Sequence, residues 1–579
     1  MKNIFIFFFL CIVNTSIYAQ LTNIKWGSEI TEGRFDEMIP AANGDYYGSR
    51  TFGNIAVELT DNYTTSISII RNLEVLKTVE LPKEWNGNKI RYEGMTTINK
   101  QLLVFYSTKE NDQRHILQQL FSDNLTPTPL VLTTSFDLPK KYISENDIYV
   151  INAVNNKFAG VFYTVEDYNK KEISFGYVIL NDSISLVSKG IQTLPIDANQ
   201  VSFGTHTLGD KGELVLSFNV KYSATRKKIK TSILSNFRLG PFSLLPIGTQ
   251  YNLENVDDLD AIKAILIYKC QNSQVTNLSH PLAITTINKY KMCIKPDGNL
   301  MLFGTFLRVK NDKIVNRAEM SMNGVFTIQV DLQNSRVIQE KYEDFALNVY
   351  TYGLNDSKKN RIENKYAQGN LLPKLYDFKW KNAVILPNGD IVGHLEQTVR
   401  NVTYTTYNNG IGYGTGMGGY SPYSNTTANV TYYFKDILVF CIKPDGYVRW
   451  MKKIQKSQAS STYDGDYVSC YSFLTNKKYT LLFSDNAKNY ADNGVFMSDK
   501  KVHSNPIFAK NNIISSVTID MQTGETKREQ FLPKTPVEGN YMPRDFHYNP
   551  SNQTLLLLLN IGTLGHKIRC GSMFLENKD

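Results

Sequence analysis

The chain of 579 residues holds few of the residues on which recognisable active sites depend: six cysteines, seven histidines and four tryptophans. Cys11 lies in an N-terminal apolar run, and the other five cysteines, at 270, 293, 441, 470 and 570, are widely spaced, with no C-x-x-C. That spacing excludes a dense disulfide framework and a zinc site. Buried thiols are expected, with one or two bridges left open. The histidines, at 115, 206, 280, 394, 503, 547 and 566, never pair at metal-ligand spacing, and H-E-x-x-H is absent. G-x-S-x-G is absent too. Asp257 and Asp258 are adjacent and point apart, which suits neither partner of an acid/base pair. His394 reads first as a core histidine with its ring satisfied. No catalytic residue, metal or cofactor is therefore expected.

Long apolar runs are also missing, except at the N-terminus. "MKNIFIFFFLCIVNTSIYAQ" places one lysine before an apolar run from Ile4 to Val13, with small and polar residues up to Ala19. This is the pattern of a secretory signal over residues 1–19, cleaved after Ala19. The longest later run, "LLLLLN", is only strand length. No transmembrane segment is expected in the mature chain, which reads as exported. Net charge is +9, or +8 once Lys2 is removed, and is spread evenly apart from Arg226, Lys227, Lys228 and Lys230. Ordinary solubility accounts for it, and no nucleic-acid partner is expected.

What is abundant is aromatic and β-branched: 35 tyrosines and 30 phenylalanines accompany many short apolar runs. That composition implies an all-β chain. "CIKPDGNLML" and "CIKPDGYVRW" write the same proline–aspartate–glycine turn twice, at residues 296–298 and 444–446. Proline presets φ, aspartate tolerates the second position and glycine takes the left-handed conformation. Similar turns followed by an apolar strand lie at 43, 99, 155, 210, 297, 388, 476 and 551. The first four are 55 or 56 residues apart and the later ones 75 to 91. A second turn follows in each of seven repeats, near Asn72, Asn124, Asn181, Arg238, Asn334, Asp445 and Gln522. Two hairpins per repeat make a four-stranded sheet, the unit of a β-propeller. The Pro296 turn reads as a first hairpin and the Pro444 turn as a second.

A single propeller over residues 20–579 is the expected fold. Eight blades are favoured, with seven left open by a helix-like stretch before residue 281. Too few residues follow Ser551 for a complete sheet, so the lone strand "TNIKWGSEI" is expected to close the ring. Four insertions, near 248–280, 345–372, 398–432 and 486–508, fall on b–c or d–a connections and hence on one face. "NVDDLDAIKAILIYKC" (255–270) sets Val256, Leu259, Ile262 and Leu266 on one helical stripe, predicting a helix. Residues 403–434 combine tyrosines with six glycines between 410 and 419, without charge. This reads as a flexible loop or as a contact surface of antibody-loop composition. Tyr404, Tyr407, Tyr413, Met417, Tyr420 and Tyr423 are its candidate partner-binding residues.

The stretch "KDILVFCIKPDGYVRWMKKIQKSQ", with "LLFSDNAKN" after it, resembles exported propeller-like proteins of the Bacteroidota cell envelope, most closely over residues 380–490. Size, export and the Tyr/Gly loop also look like the plug-type accessory subunit of the type 9 secretion translocon. The resemblance implies a non-catalytic periplasmic resident, peripheral to the outer membrane, whose partner is an outer-membrane or envelope protein complex. Two other readings stay open. One is a glycan-binding or glycan-active propeller, which would want exposed tryptophans, and only Trp380 lies near an insertion. The other is a quinoprotein-like enzyme, for which "DMQTGETKR" supplies only the turn half of the motif.

Overall fold

Each apolar strand in this chain carries buried side chains on both faces, and the fold explains why. In the computed structural model, eight antiparallel sheets stand around a common axis. The structure describes residues 24–575, apart from 32–34, 42–43, 53–63, 139–147, 168, 222–261, 283–284, 309–321, 369–374, 376–377, 409–423, 462–466, 476–477, 499–500, 507–511, 534–538 and 562–566. Blade one runs outward as strands a to d: Glu37–Pro40, Tyr46–Phe52, Thr64–Arg71 and Glu74–Glu80. Neighbouring blades meet through their a strands, which places these nearest the axis. Blades two to seven repeat the order, so the expectation of an eight-bladed all-β propeller holds.

Sheets stacked face to face explain the pattern. Leu555, Leu557 and Leu559 pack toward blade seven, whereas Leu556 and Leu558 pack toward blade one. The leucine run is thus one strand (Thr554–Ile561) buried on both sides rather than an amphipathic strand. Each of the eight hydrophobic clusters fills one interval between successive blades.

Ring closure also follows the expectation. Ile24–Ile30 pairs antiparallel with Lys567–Phe574 and so becomes strand d of blade eight. Trp26 lies over Gly571, where a Cβ would stand 2.5 Å from the indole. Glu29 reaches Lys567 and Arg569, each at 3.4 Å. On the other side, the Ser28 amide donates to Glu74 of blade one at 2.7 Å.

The two proline–aspartate–glycine turns occupy different places, as read from the sequence. Residues 295–299 join strands a and b of blade five, and residues 443–447 join c and d of blade six. Gly298 and Gly446 both adopt positive φ, +84° and +86°. The turns are also neighbours, because Lys295 Nζ donates to the Pro444 carbonyl at 3.3 Å. Cys293 and Cys441 are both free thiols, as are Cys270, Cys470 and Cys570.

Blade four departs from the expectation. The segment expected to form a helix is strand c, Ile262–Gln271, paired with Leu214–Lys221 on one side and Gln274–Pro281 on the other. The second hairpin turn lies at Asn272 and Ser273 (φ 50° and 59°) rather than near Arg238. The insertion of this blade accordingly spans 222–261 between b and c, not 248–280 between blades; Val256 and Leu259 fall outside the described residues. The physical reason is burial on both faces. Ile265 and Ile267 pack toward blade five, while Leu266 and Tyr268 pack toward blade three. A continuous apolar run fits strand or helix equally well.

Candidate functional site: the elaborated face of the ring

Antiparallel strands put a–b and c–d turns on one face and b–c and d–a connections on the other. The first face is plain: its turns are short, such as 99–100, 272–273 and 332–335. The second face carries every long segment, including 222–261 and 309–321. Between blades five and six it carries a short helix, Leu347–Thr351, and the helix Asp356–Ala367. Asn355 caps the latter, accepting from the Lys358 amide at 3.0 Å. None of its residues is buried.

The largest feature is a ribbon. Strands b (Ile391–Asn408) and c (Ser424–Ile442) of blade six continue past the sheet as a two-stranded hairpin, paired from Thr398↔Phe434 to Asn408↔Ser424. The extension is roughly 35 Å long at 3.4 Å per residue. Much of what reads as a loop in the sequence is therefore strand. At its base, Gln458–Ser460 pairs with Tyr432, Tyr433 and Phe434, and Asn505–Pro506 adds a parallel strand beyond that. Past Thr431 neither ribbon strand has another partner among the described residues. No charged residue occurs between Asn401 and Phe434, so these open edges lack the lysines that usually blunt an edge strand.

The six candidate residues separate on this ribbon. Tyr404 pairs with Ala428 and Tyr407 with Asn425, and three residues apart in a strand are register positions on opposite faces. Tyr413, Met417, Tyr420 and Tyr423 lie outside the described residues.

Beneath the ribbon is a polar core that sequence reasoning missed. Glu396, on strand b, is fully buried and accepts from Lys456, also fully buried. Lys381 approaches the same carboxylate at 3.1 Å and Ser469 Oγ donates to it at 2.6 Å. Lys456 further donates to Gln458 Oε1 at 2.6 Å, and Gln458 in turn donates to the Ser484 carbonyl at 2.8 Å. Burial alone would raise the Glu396 carboxyl; the charges of Lys456 and Lys381 overcome it and hold the group below its ordinary range. The collar strand Gln458–Ser460 is thus fixed to blades six and seven by a closed hydrogen-bond network.

Blade seven fixes its own insertion similarly. Arg528 pairs with Asp485, which also accepts from Tyr490 Oη at 2.6 Å and Asn489 Nδ2 at 2.8 Å. The Arg528 guanidinium stacks over Phe496, 3.8 Å from the ring centroid.

His394 faces this network rather than a cleft. Cys470 Sγ lies 3.2 Å from Nε2, and Tyr479 Oη 2.8 Å from Nδ1. Burial pushes the thiol up to about 12 and the imidazole down to about 3. Both groups are neutral at pH 7, so the pair lacks the thiolate that nucleophilic chemistry requires. Among the described residues no group of three or more His, Cys, Asp or Glu side chains is placed to hold a metal ion.

His206 and His547 are likewise held down to about 4, mainly by burial. A folded imidazole depressed below the ordinary 6.5 keeps its stabilising contribution above 6.5 and loses it as pH falls toward the folded value. Melting temperature is therefore expected to decline between about pH 6.5 and 5, before most carboxylates titrate. Melts across that window check this, and a flat profile would contradict it.

The tryptophans are committed to packing. Trp380 meets Phe303 and Phe440 edge-on, with centroids at 5.4 and 5.1 Å. Trp450 is buried and donates to the Met521 carbonyl at 3.0 Å.

No family model matches the chain. No curated protein matches it either. Among solved structures, similarity extends to an oligogalacturonate lyase in complex with manganese, at 8% identity, 94% of this chain, 99% of that one and a TM-score of 0.32. The Dos1 propeller matches at 8% identity over 80% of this chain and 90% of its own, with a TM-score of 0.31. A prolyl oligopeptidase B from Galerina marginata matches at 8% identity over 95% of this chain and 56% of its own, with a TM-score of 0.32. At such scores the likenesses carry no argument about activity, and the fold rests on the strand order itself.

Proposed function

We propose that the chain is a non-catalytic periplasmic β-propeller that docks on an outer-membrane or envelope protein complex through its elaborated face. Within that reading it serves as a plug-type accessory subunit of the type 9 secretion translocon. The observation that carries the docking role is the one-sided elaboration: an uncharged ribbon with two open edges projects from a base held by buried ion pairs. Ordering a loop residue costs about 1–2 kcal/mol of backbone entropy, so stability alone gives no reason to lengthen one face. Open edges of this kind accept an added strand from a partner, which supplies main-chain hydrogen bonds without charge matching. Support for export comes from the N-terminal signal pattern. The glycan reading is less favoured, because Trp380 packs within blades five and six rather than forming a platform.

Replacing residues 408–425 by a short Gly-Ser linker tests the ribbon. The melting temperature is expected to move by no more than about 2 °C, as for a surface change. Capture of the outer-membrane partner from solubilised envelope is expected to fall at least about tenfold, a loss of 1.4 kcal/mol or more. Normal melting with wild-type recovery of the partner would remove the ribbon from the docking surface.

A further inference from the structure

The axis of the ring holds a second feature, independent of the elaborated face. Between the inner strands of blades five (Thr285–Ile294) and six (Phe378–Ile385) lies a cavity of about 140 Å³. Lys291, Cys293, Lys381, Asn382, Phe303 and Ile391 are among its walls. Each inner strand pairs with only one neighbour, so its other edge turns backbone groups toward the axis.

The charge around this cavity is unbalanced. Lys381 and Lys456 share the single carboxylate of Glu396, which leaves that trio with one excess positive charge. Lys291 adds a second. Among the described residues no carboxylate pairs with Lys291, whose ammonium is accessible yet walled by protein. Burial holds it below the usual lysine range without a compensating anion. His206 of blade four, the titratable neighbour on the other side, is neutral at pH 7. The thiol of Cys293 is pushed up by burial and stays neutral as well. Asn382 is already engaged, donating to Ser472 Oγ at 2.9 Å.

We infer that this cavity is a binding site for a small oxyanion, with Lys291 as its principal cation and Lys381 as its second. At ~30 Å³ per liquid water the space equals about four or five waters, which admits inorganic phosphate or a short carboxylate and excludes nucleotides and sugars. An oxyanion there supplies the counter-charge that Lys291 lacks.

The full mature chain tests this in two ways. In titration calorimetry at constant ionic strength, with chloride as the balancing salt, inorganic phosphate and acetate are the two probes and distinguish the two sources of oxyanion. At least one is expected to bind at a single site, with affinity lowered tenfold or more in Lys291→Met and retained in Lys291→Arg. The second measurement needs no variant: acetylation of wild-type lysines read by mass spectrometry. Lys291 is expected to be protected at least fivefold by the binding anion, while Lys100, on the plain face, is unaffected. No binding above the chloride control, equal binding by Lys291→Met, or unprotected Lys291 would each overturn the assignment.

Discussion

A chain beginning at residue 36 is expected to lose cooperative folding of the whole ring, not merely one strand. Ile24–Ile30 supplies the outer strand of blade eight and also contacts blade one, so its loss leaves a bare edge and weakens the junction where the ring closes. Ile30 is buried in the cluster between blades eight and one, and Ile24 and Trp26 pack against the cluster between seven and eight. Burying side chains of this size contributes about 1.5–3 kcal/mol each. Three of them approach the 5–15 kcal/mol that typically separates folded from unfolded states. Chemical denaturation of the truncated chain checks this: a lowered, broadened or multiphasic transition is expected, and an unchanged midpoint would contradict closure by this strand.

Lys456→Met is expected to cost about 3–5 kcal/mol, the usual penalty for removing one member of a buried ion pair. The cost arises because Glu396 stays buried with one fewer cation, not because the original pair is intrinsically worth that much. Changing both partners, in Glu396→Leu with Lys456→Met, is therefore expected to recover much of the loss. The pH dependence carries a defined sign. Because the folded Glu396 carboxyl lies below its ordinary 4.5, its contribution is fully present above that value and disappears as pH falls through the folded value. The methionine variant has less of this contribution to lose on acidification. Denaturant titrations of the three proteins measure the terms; a Lys456→Met cost below about 1 kcal/mol would show that the site is hydrated rather than closed.

Turn chemistry made most of the blade order legible. Asn99 and Lys100, like Asn72 and Leu73, take positive φ in two-residue hairpins, and the asparagines announce this in the sequence. The glycines at 298 and 446 announce their turns the same way. Blade four escaped because Asn272-Ser273 is a weaker signal and because the run before it is apolar on both faces. The polar core escaped for a different reason. Glu396 and Lys456 stand 60 residues apart, and each sits among residues that could equally face solvent. Only the stacking of blade six on blade seven brings them together with Ser469 and Gln458. The ribbon was half legible: its lack of charge marked a contact surface, whereas its length as strand was hidden by the glycines at its tip.

The central claim, that one face of the ring is the working face, is most directly measured by cross-linking in intact cells followed by mass spectrometry. Lys358, Lys359 and Lys365 lie exposed on the helix of the elaborated face, whereas Lys100, Lys157 and Lys211 lie exposed on the plain face. Cross-links to an outer-membrane protein are expected from the first group and not from the second. Partner cross-links distributed equally between the two groups, or confined to the plain face, would contradict it.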